Sequence, residues 1–160
     1  MMEDTILEVE NLRTSFATDA GSVQSVRGIT FHVGKGESLG IVGESGCGKS
    51  VTMLSIMGLL EDNASRQADA LLFDGEDLLK KSPREMRKIQ GNRIGMIFQD
   101  PMTSLNPLFT VGEQIRGPLM RHQKLSRKEA EKKALVMLEA VGLPSPERRL
   151  SSQAVCARGL

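Results

Sequence analysis

Residues Gly43 to Ser50 read GESGCGKS and fit the spacing G-x-x-x-x-G-K-[ST]. The residue types at this spacing suit one kind of chemistry. Glycines let a backbone fold so that successive N–H groups point inward at phosphate oxygens. A helix starting near Lys49 adds the positive end of its dipole. The Lys49 ammonium can reach the outer phosphates as a point charge. The Ser50 hydroxyl can ligate Mg²⁺, which keeps most of its waters. The expected phosphate-binding set is Gly43, Glu44, Ser45, Gly46, Cys47, Gly48, Lys49, Ser50 and the first-turn residue Val51. Cys47 occupies a variable position of the spacing and reads as a small filler. A redox role is the alternative, because helix N-termini lower thiol pKa.

Such a loop needs a strand before it and a helix after it, and the neighbouring residues supply both patterns. Glu37 to Val42 (ESLGIV) is a short apolar run, as in a buried strand. Ser50 to Leu60 is apolar nearly all round and reads as a buried helix. Upstream, Ile6–Phe16 and Val23–Val33 read as strands around a turn at Ala20, Gly21 and Ser22, and Gly34 to Gly36 is a second turn. Downstream, Ala70–Phe73 is a short strand, Ser82–Gln90 a charged helix with Pro83 in its first turn, and Arg93–Phe98 another strand. Asp100–Leu108 carries two prolines and reads as loop. Ser126–Val141 is the clearest helix, with Ser126 and Glu129 as a capping box and Gly142 and Pro144 ending it.

Bulk properties narrow the field. The chain has 160 residues, enough for one domain with a real core. A net charge of +1, from 21 basic and 20 acidic residues, gives no electrostatic case for nucleic acid or an anionic membrane surface. Without Trp or Tyr, a stacking platform for single strands is not expected. Cys47 and Cys156 make neither a disulfide framework nor a zinc site, which fits a reducing compartment. The N-terminus shows early acids and no apolar h-region, and no stretch approaches a membrane span, so a soluble chain is expected. His32 and His122 lack ligand-spaced partners, and Arg127, Lys128, Lys132 and Lys133 read as a solvated helix face. Ala70–Asp74 (ALLFD) imitates a strand ending in a magnesium-binding acid, yet it lies close after Lys49 and runs into Gly75, so a hairpin is the better reading.

The stretch Ile94–Ile115, IGMIFQDPMTSLNPLFTVGEQI, narrows the choice among phosphate-loop proteins. Together with LGIVGESGCGKS and FDGEDLL it resembles the ATP-binding cassette (ABC) transporter ATPases, in particular the ATP-binding subunits of dipeptide, oligopeptide and nickel importers. The resemblance covers Ile6 to about Leu150. It implies an α/β P-loop NTPase fold of which this is the N-terminal portion: an antiparallel β subdomain plus part of the parallel core sheet and helices. It makes Gly43–Ser50 the Walker A loop for ATP. It makes Gln99 the Q-loop glutamine, a catalytic residue that touches Mg²⁺ and the attacking water. Phe16 falls where the family stacks an aromatic on adenine, with a core phenylalanine as the equal alternative. Asp100–Val111 would lie near the groove for a coupling helix. Implied partners are transmembrane permease subunits, a second ATP-binding subunit and, indirectly, a substrate-binding protein, at the cytoplasmic face of the cell membrane.

The family's signature motif, its Walker B strand and its later His do not follow Leu150. Hydrolysis by this chain alone is therefore not expected, since it depends on positioning water and metal together. Synonymous codons can be chosen for residues 150–160 so that a two-base shift of frame reads Gln-Leu-Ser-Gly-Gly-Met-Arg-Gln-Arg-Val, similar to the signature motif. The expected organisation is an incomplete nucleotide-binding domain over 1–149 and a frameshifted tail over 150–160. A gene sequence whose shifted frame lacks that motif removes the idea. The other readings are a non-enzymatic ATP-binding fragment, a different P-loop enzyme using Asp74 as its metal acid, and a non-functional gene remnant.

Overall fold

In the computed structural model the described residues are 4–98 and 104–153. The chain divides into two units, residues 1–90 and 91–160.

The first unit is built on two long strands, β1 (Thr5–Thr18) and β2 (Gly21–Gly34), joined by a tight turn and paired antiparallel from Thr5↔Gly34 to Thr18↔Gly21. β1 alternates only loosely in sequence because it contains a bulge. Between Val9 and Leu12 it advances three residues while β2 advances two, and Asn11 takes a positive φ of 49°. The extra residue resets the alternation, so Val9 and Leu12 are both fully buried although they are an odd number apart. The other edge of β1 carries two short strands, β3 (Ala64–Gln67) and β4 (Ala70–Phe73). A further strand, β5 (Glu76–Asp77), folds back on β4. Its turn is Asp74-Gly75, with φ of 50° and 76°, the two positive values of the Asp-Gly hairpin turn. Asp74 is therefore a turn residue, as the hairpin reading has it, and not the acid at a strand end.

Helix α1 (Lys49–Met57) packs its Thr52, Ser55, Ile56 and Met57 inward. It ends earlier than its apolar run suggests. Gly58 takes φ 65°, and the N–H groups of Gly58 and Leu59 close onto Ser55 and Leu54, a left-handed terminus that glycine adopts at no steric cost. Helix α2 (Pro83–Ile89) starts at a Ser82/Glu85 capping box and buries Met86 and Ile89.

Two expected strands are absent. Glu37–Val42 and Arg93–Phe98 form no strand among the described residues, and Val42 and Ile97 are 93% and 99% exposed. A strand exists only through its ladder of hydrogen bonds, and neither run joins one among the described residues: Ile94 makes only an isolated bridge and accepts from the Gly91 N–H at 2.8 Å. The sheet of the first unit is wholly antiparallel.

The second unit is helical: α3 (Val111–Gln123), α4 (Arg127–Ala140) and α5 (Pro146–Ser151). Its core is Leu119, Ala130, Ala134, Leu138 and Leu150, with Ile115, Leu125 and Leu135 against it. Thr110/Glu113 and Ser126/Glu129 form complete capping boxes at α3 and α4. The chain from Leu150 onward, drawn as tail from sequence, begins inside this core. Leu150 is buried, and the Val111 N–H donates to the Ser152 carbonyl at 3.0 Å. Gly112 permits the approach, since a Cβ there would lie 2.7 Å from the Leu150 carbonyl oxygen.

Candidate functional site: the phosphate loop and its helix

The loop from Gly43 leads directly into α1, and its glycines answer local demands. Gly46 and Gly48 have φ of 80° and 96°, a region that disfavours side chains. At Gly48 a Cβ would also lie 2.6 Å from the Ser25 carbonyl oxygen of β2. At Gly43 it would lie 2.7 Å from Cys47 Sγ, so that thiol folds back over the loop's start. Cys47 is exposed.

Lys49 turns back over the loop. Its Nζ donates to the carbonyls of Gly43 and Glu44, both at 2.7 Å, and lies 3.5 Å from Cys47 Sγ. The ammonium thus sits above the loop it would help to charge. The first full helical bond of α1 runs from the Thr52 N–H to the Gly48 carbonyl at 2.8 Å. Helix geometry leaves the preceding N–H groups of Lys49, Ser50 and Val51 without intrahelical acceptors. Ser50 is exposed at this end and Val51 is half-buried. An open cleft of about 570 Å³ lies between β2, from Val23 to Ile29, and the loop residues Gly46 to Lys49 with Thr52.

Phe16 is half-buried on β1, paired with Val23 on one side and Ala64 on the other. Counted from Leu12 and Thr14 it shares their face, the one against α1. It does not line the cleft. Gln99 lies outside the described residues. His32 is exposed and His122 half-buried, and among the described residues no cluster of His, Cys, Asp and Glu could hold a metal ion.

The far end of α1 holds what sequence reasoning missed. The last four carbonyls of a helix need partners from outside it, and here each has one. Leu54 and Ser55 accept from Leu59 and Gly58. Met57 accepts from Gln90 Nε2 at 2.7 Å. Arg66 on β3 donates through one amino group to Ser55 and Ile56, and through the other to the Leu78 carbonyl at 3.2 Å. Burial pulls the Arg66 guanidinium below the ordinary arginine value. Thr14, opposite Arg66 across the β1–β3 pair, shares a 2.7 Å hydroxyl hydrogen bond with the fully buried Ser55. No spacing in the sequence marks Arg66, because its partners are backbone carbonyls brought together only by the fold.

Residues 26–157 match the ABC transporter family. The chain is 53% identical over 148 residues to the dipeptide transport ATP-binding protein DppD of Bacillus subtilis, covering 92% of this chain and 44% of that one. It is 44% identical over 147 residues to the oligopeptide transport ATP-binding protein OppD of Escherichia coli, covering 92% and 43%. It therefore spans less than half the length of these relatives. Among solved structures it is similar to the ATP-binding cassette MJ0796 in a dimeric post-hydrolysis state bound to ADP and Pi. That match has a TM-score of 0.75 at 25% identity, over 93% of this chain and 62% of the other. It is also similar to cbiO1 from Clostridium perfringens, with a TM-score of 0.65 at 26% identity, over 96% and 56%. Family match, relatives and fold agree, and the chain belongs to the ABC transporter family.

Proposed function

We propose that this chain is the nucleotide-phosphate-binding part of an ATP-binding subunit of a peptide importer. The observation that carries the reading is the glycine-framed loop at the free N-terminus of α1, with the Lys49 ammonium held above it by two loop carbonyls. The residues fit the group they would hold. Gly43 to Val51 would cradle ATP phosphates with backbone N–H groups, and Lys49 would exchange carbonyl partners for phosphate oxygens. Ser50 is exposed where a Mg²⁺ ligand is needed, and Gln99 is assigned as the second protein ligand and the water-facing group. For Phe16 the proposed stacking on adenine stands beside a core role, which its half-buried place on the Leu12 and Thr14 face supports. The peptide class follows the printed names of the relatives; nickel import is the alternative within the same branch.

Permease subunits, a second ATP-binding subunit and a substrate-binding protein acting indirectly are the proposed partners, at the cytoplasmic face of the membrane. Among the described residues no helix is long and apolar enough to cross a membrane, so docking through partners is the route proposed. Titration of labelled ATP against the wild type and Lys49→Ala is the test. Saturable, Mg²⁺-dependent binding that weakens at least about tenfold in Lys49→Ala is expected, the loss of one charge-assisted contact. Equal binding by the two proteins overturns the reading. Turnover measured in parallel separates a binding fragment, which gives none, from an ATPase.

A further inference from the structure

We propose that Arg66 is a positioning residue for the phosphate loop, acting from the opposite end of α1. The inference rests on the nucleotide reading above. Four observations point to it. The Arg66 guanidinium grips the carbonyls of Ser55 and Ile56 at the C-terminus of α1, and its second amino group holds the Leu78 carbonyl just past β5. One side chain thereby fixes the helix to two different parts of the sheet. Its cross-strand neighbour Thr14 holds the Ser55 hydroxyl, so β1 and β3 meet α1 at the same residue. The guanidinium also lies against Gly58, where a Cβ would be in van der Waals contact with both amino groups at 3.5 Å.

The physical link to the loop is rigidity over a short distance. α1 has nine residues, a rod of about 14 Å at helical rise. A tilt at its C-terminus is carried to Lys49 and Ser50 at its N-terminus, because a helix this short has no hinge of its own. The carbonyl end is closed by a cation while the amide end is left for an anion, so both charges act favourably on one dipole. Gln90, on the Met57 carbonyl, supports the same end. Arg66 does not touch a nucleotide in this arrangement; it sets the direction of the N–H groups that would.

The test uses the full chain and compares Arg66→Met, which keeps the apolar stem and removes the donors, with Arg66→Lys and with Val9→Ala. Val9 is fully buried on β1 and no member of the loop or the α1 anchor, so it serves as a stability control. ATP affinity is measured at a temperature well below every unfolding midpoint. Expected are a fivefold to tenfold weakening in Arg66→Met, about the loss of one well-aligned charged contact, partial rescue in Arg66→Lys, and unchanged affinity in Val9→Ala despite its lowered midpoint. Wild-type affinity in Arg66→Met, or an equal loss in Val9→Ala, overturns the positioning role while leaving the nucleotide reading intact. Failure of the wild type to bind ATP overturns both. Should Arg66→Met not fold, Gln90→Leu and Arg66→Lys carry the same comparison, and unchanged affinity in both overturns the role.

Discussion

At Gly48 two demands fall on one atom: a left-handed backbone and a strand carbonyl 2.6 Å from where a Cβ would be. Gly48→Ala is expected to cost about 2 kcal/mol or more, since the backbone strain alone is worth roughly 1–2 kcal/mol. Thermal unfolding measures it, and a midpoint equal to the wild type removes the argument. Asp74 makes the opposite case. It sits exposed in a hairpin turn whose positive φ asparagine also tolerates. Asp74→Asn is therefore expected to leave both ATP binding and the midpoint nearly unchanged; loss of Mg²⁺-dependent binding would restore this residue as a metal acid. The glycines, Lys49 and Ser50 were legible because their spacing is local, from residue 43 to 50. Arg66 and the Thr14–Ser55 hydroxyl pair were not, because strand pairing brings them together across 11 and 41 residues.

Helices were readable where an end signal or an apolar run agreed with the propensity of the residues between. Pro83 in the first turn announced α2, and Ser126 with Glu129 announced α4. α3 has the same device in Thr110 and Glu113, yet Gly112, Gly117 and Pro118 within it argue against a helix on propensity. Packing of Leu119 and the fit of Gly112 against Leu150 override that preference. α5 is only six residues and too short for a periodic pattern. The three capping glutamates give this architecture an acid limit. Hydrogen bonds from the cap residues, chiefly the hydroxyl for Glu85 and Glu129 and chiefly the backbone N–H of Thr110 for Glu113, hold each carboxyl below the ordinary value of 4.5. A depressed folded-state pKa stabilises above the ordinary range, and that stabilisation disappears as pH falls through the depressed value. Far-UV circular dichroism should accordingly show helix signal stable from neutrality to about pH 5 and declining below 4.5. In Ser126→Ala the cap loss of about 1 kcal/mol should make that decline begin at higher pH; a superimposable acid curve would contradict the cap's role.

Over the whole molecule, the apolar runs define what remains open. Leu39, Ile41 and Val42 before the phosphate loop, and Ile97 and Phe98 after α2, are exposed without a ladder among the described residues. Their hydrophobic character was plain in sequence, and so was their fitness for strands. What sequence could not supply was a neighbour, since pairing is a property of two segments and only one can be read at a time. Exposed runs of this kind promote association. Light scattering at micromolar concentration should show self-association that Val42→Lys together with Ile97→Lys reduces; unchanged scattering would place the sticky surface elsewhere. The antiparallel sheet was readable to the extent that its turns were: the first, expected at Ala20 to Ser22, falls at Asp19 and Ala20, and Asp74-Gly75 was evident, while β3, four residues with two of them charged or amide, was not.

β1 is the strand on which everything in the first unit converges, taking β2 along one edge and both β3 and β4 along the other. A chain emerging from the ribosome can zip β1 to β2 at once, because that pairing is local. The second edge must wait about thirty residues more for β3 to meet Phe16 through Ala64, and about forty for Phe73 to meet Leu7. In that interval α1 has already been made but lacks the arginine that seats it, so the phosphate loop exists as sequence before it exists as geometry. Vectorial synthesis thus delivers the phosphate loop before the strand whose arginine anchors the helix behind it.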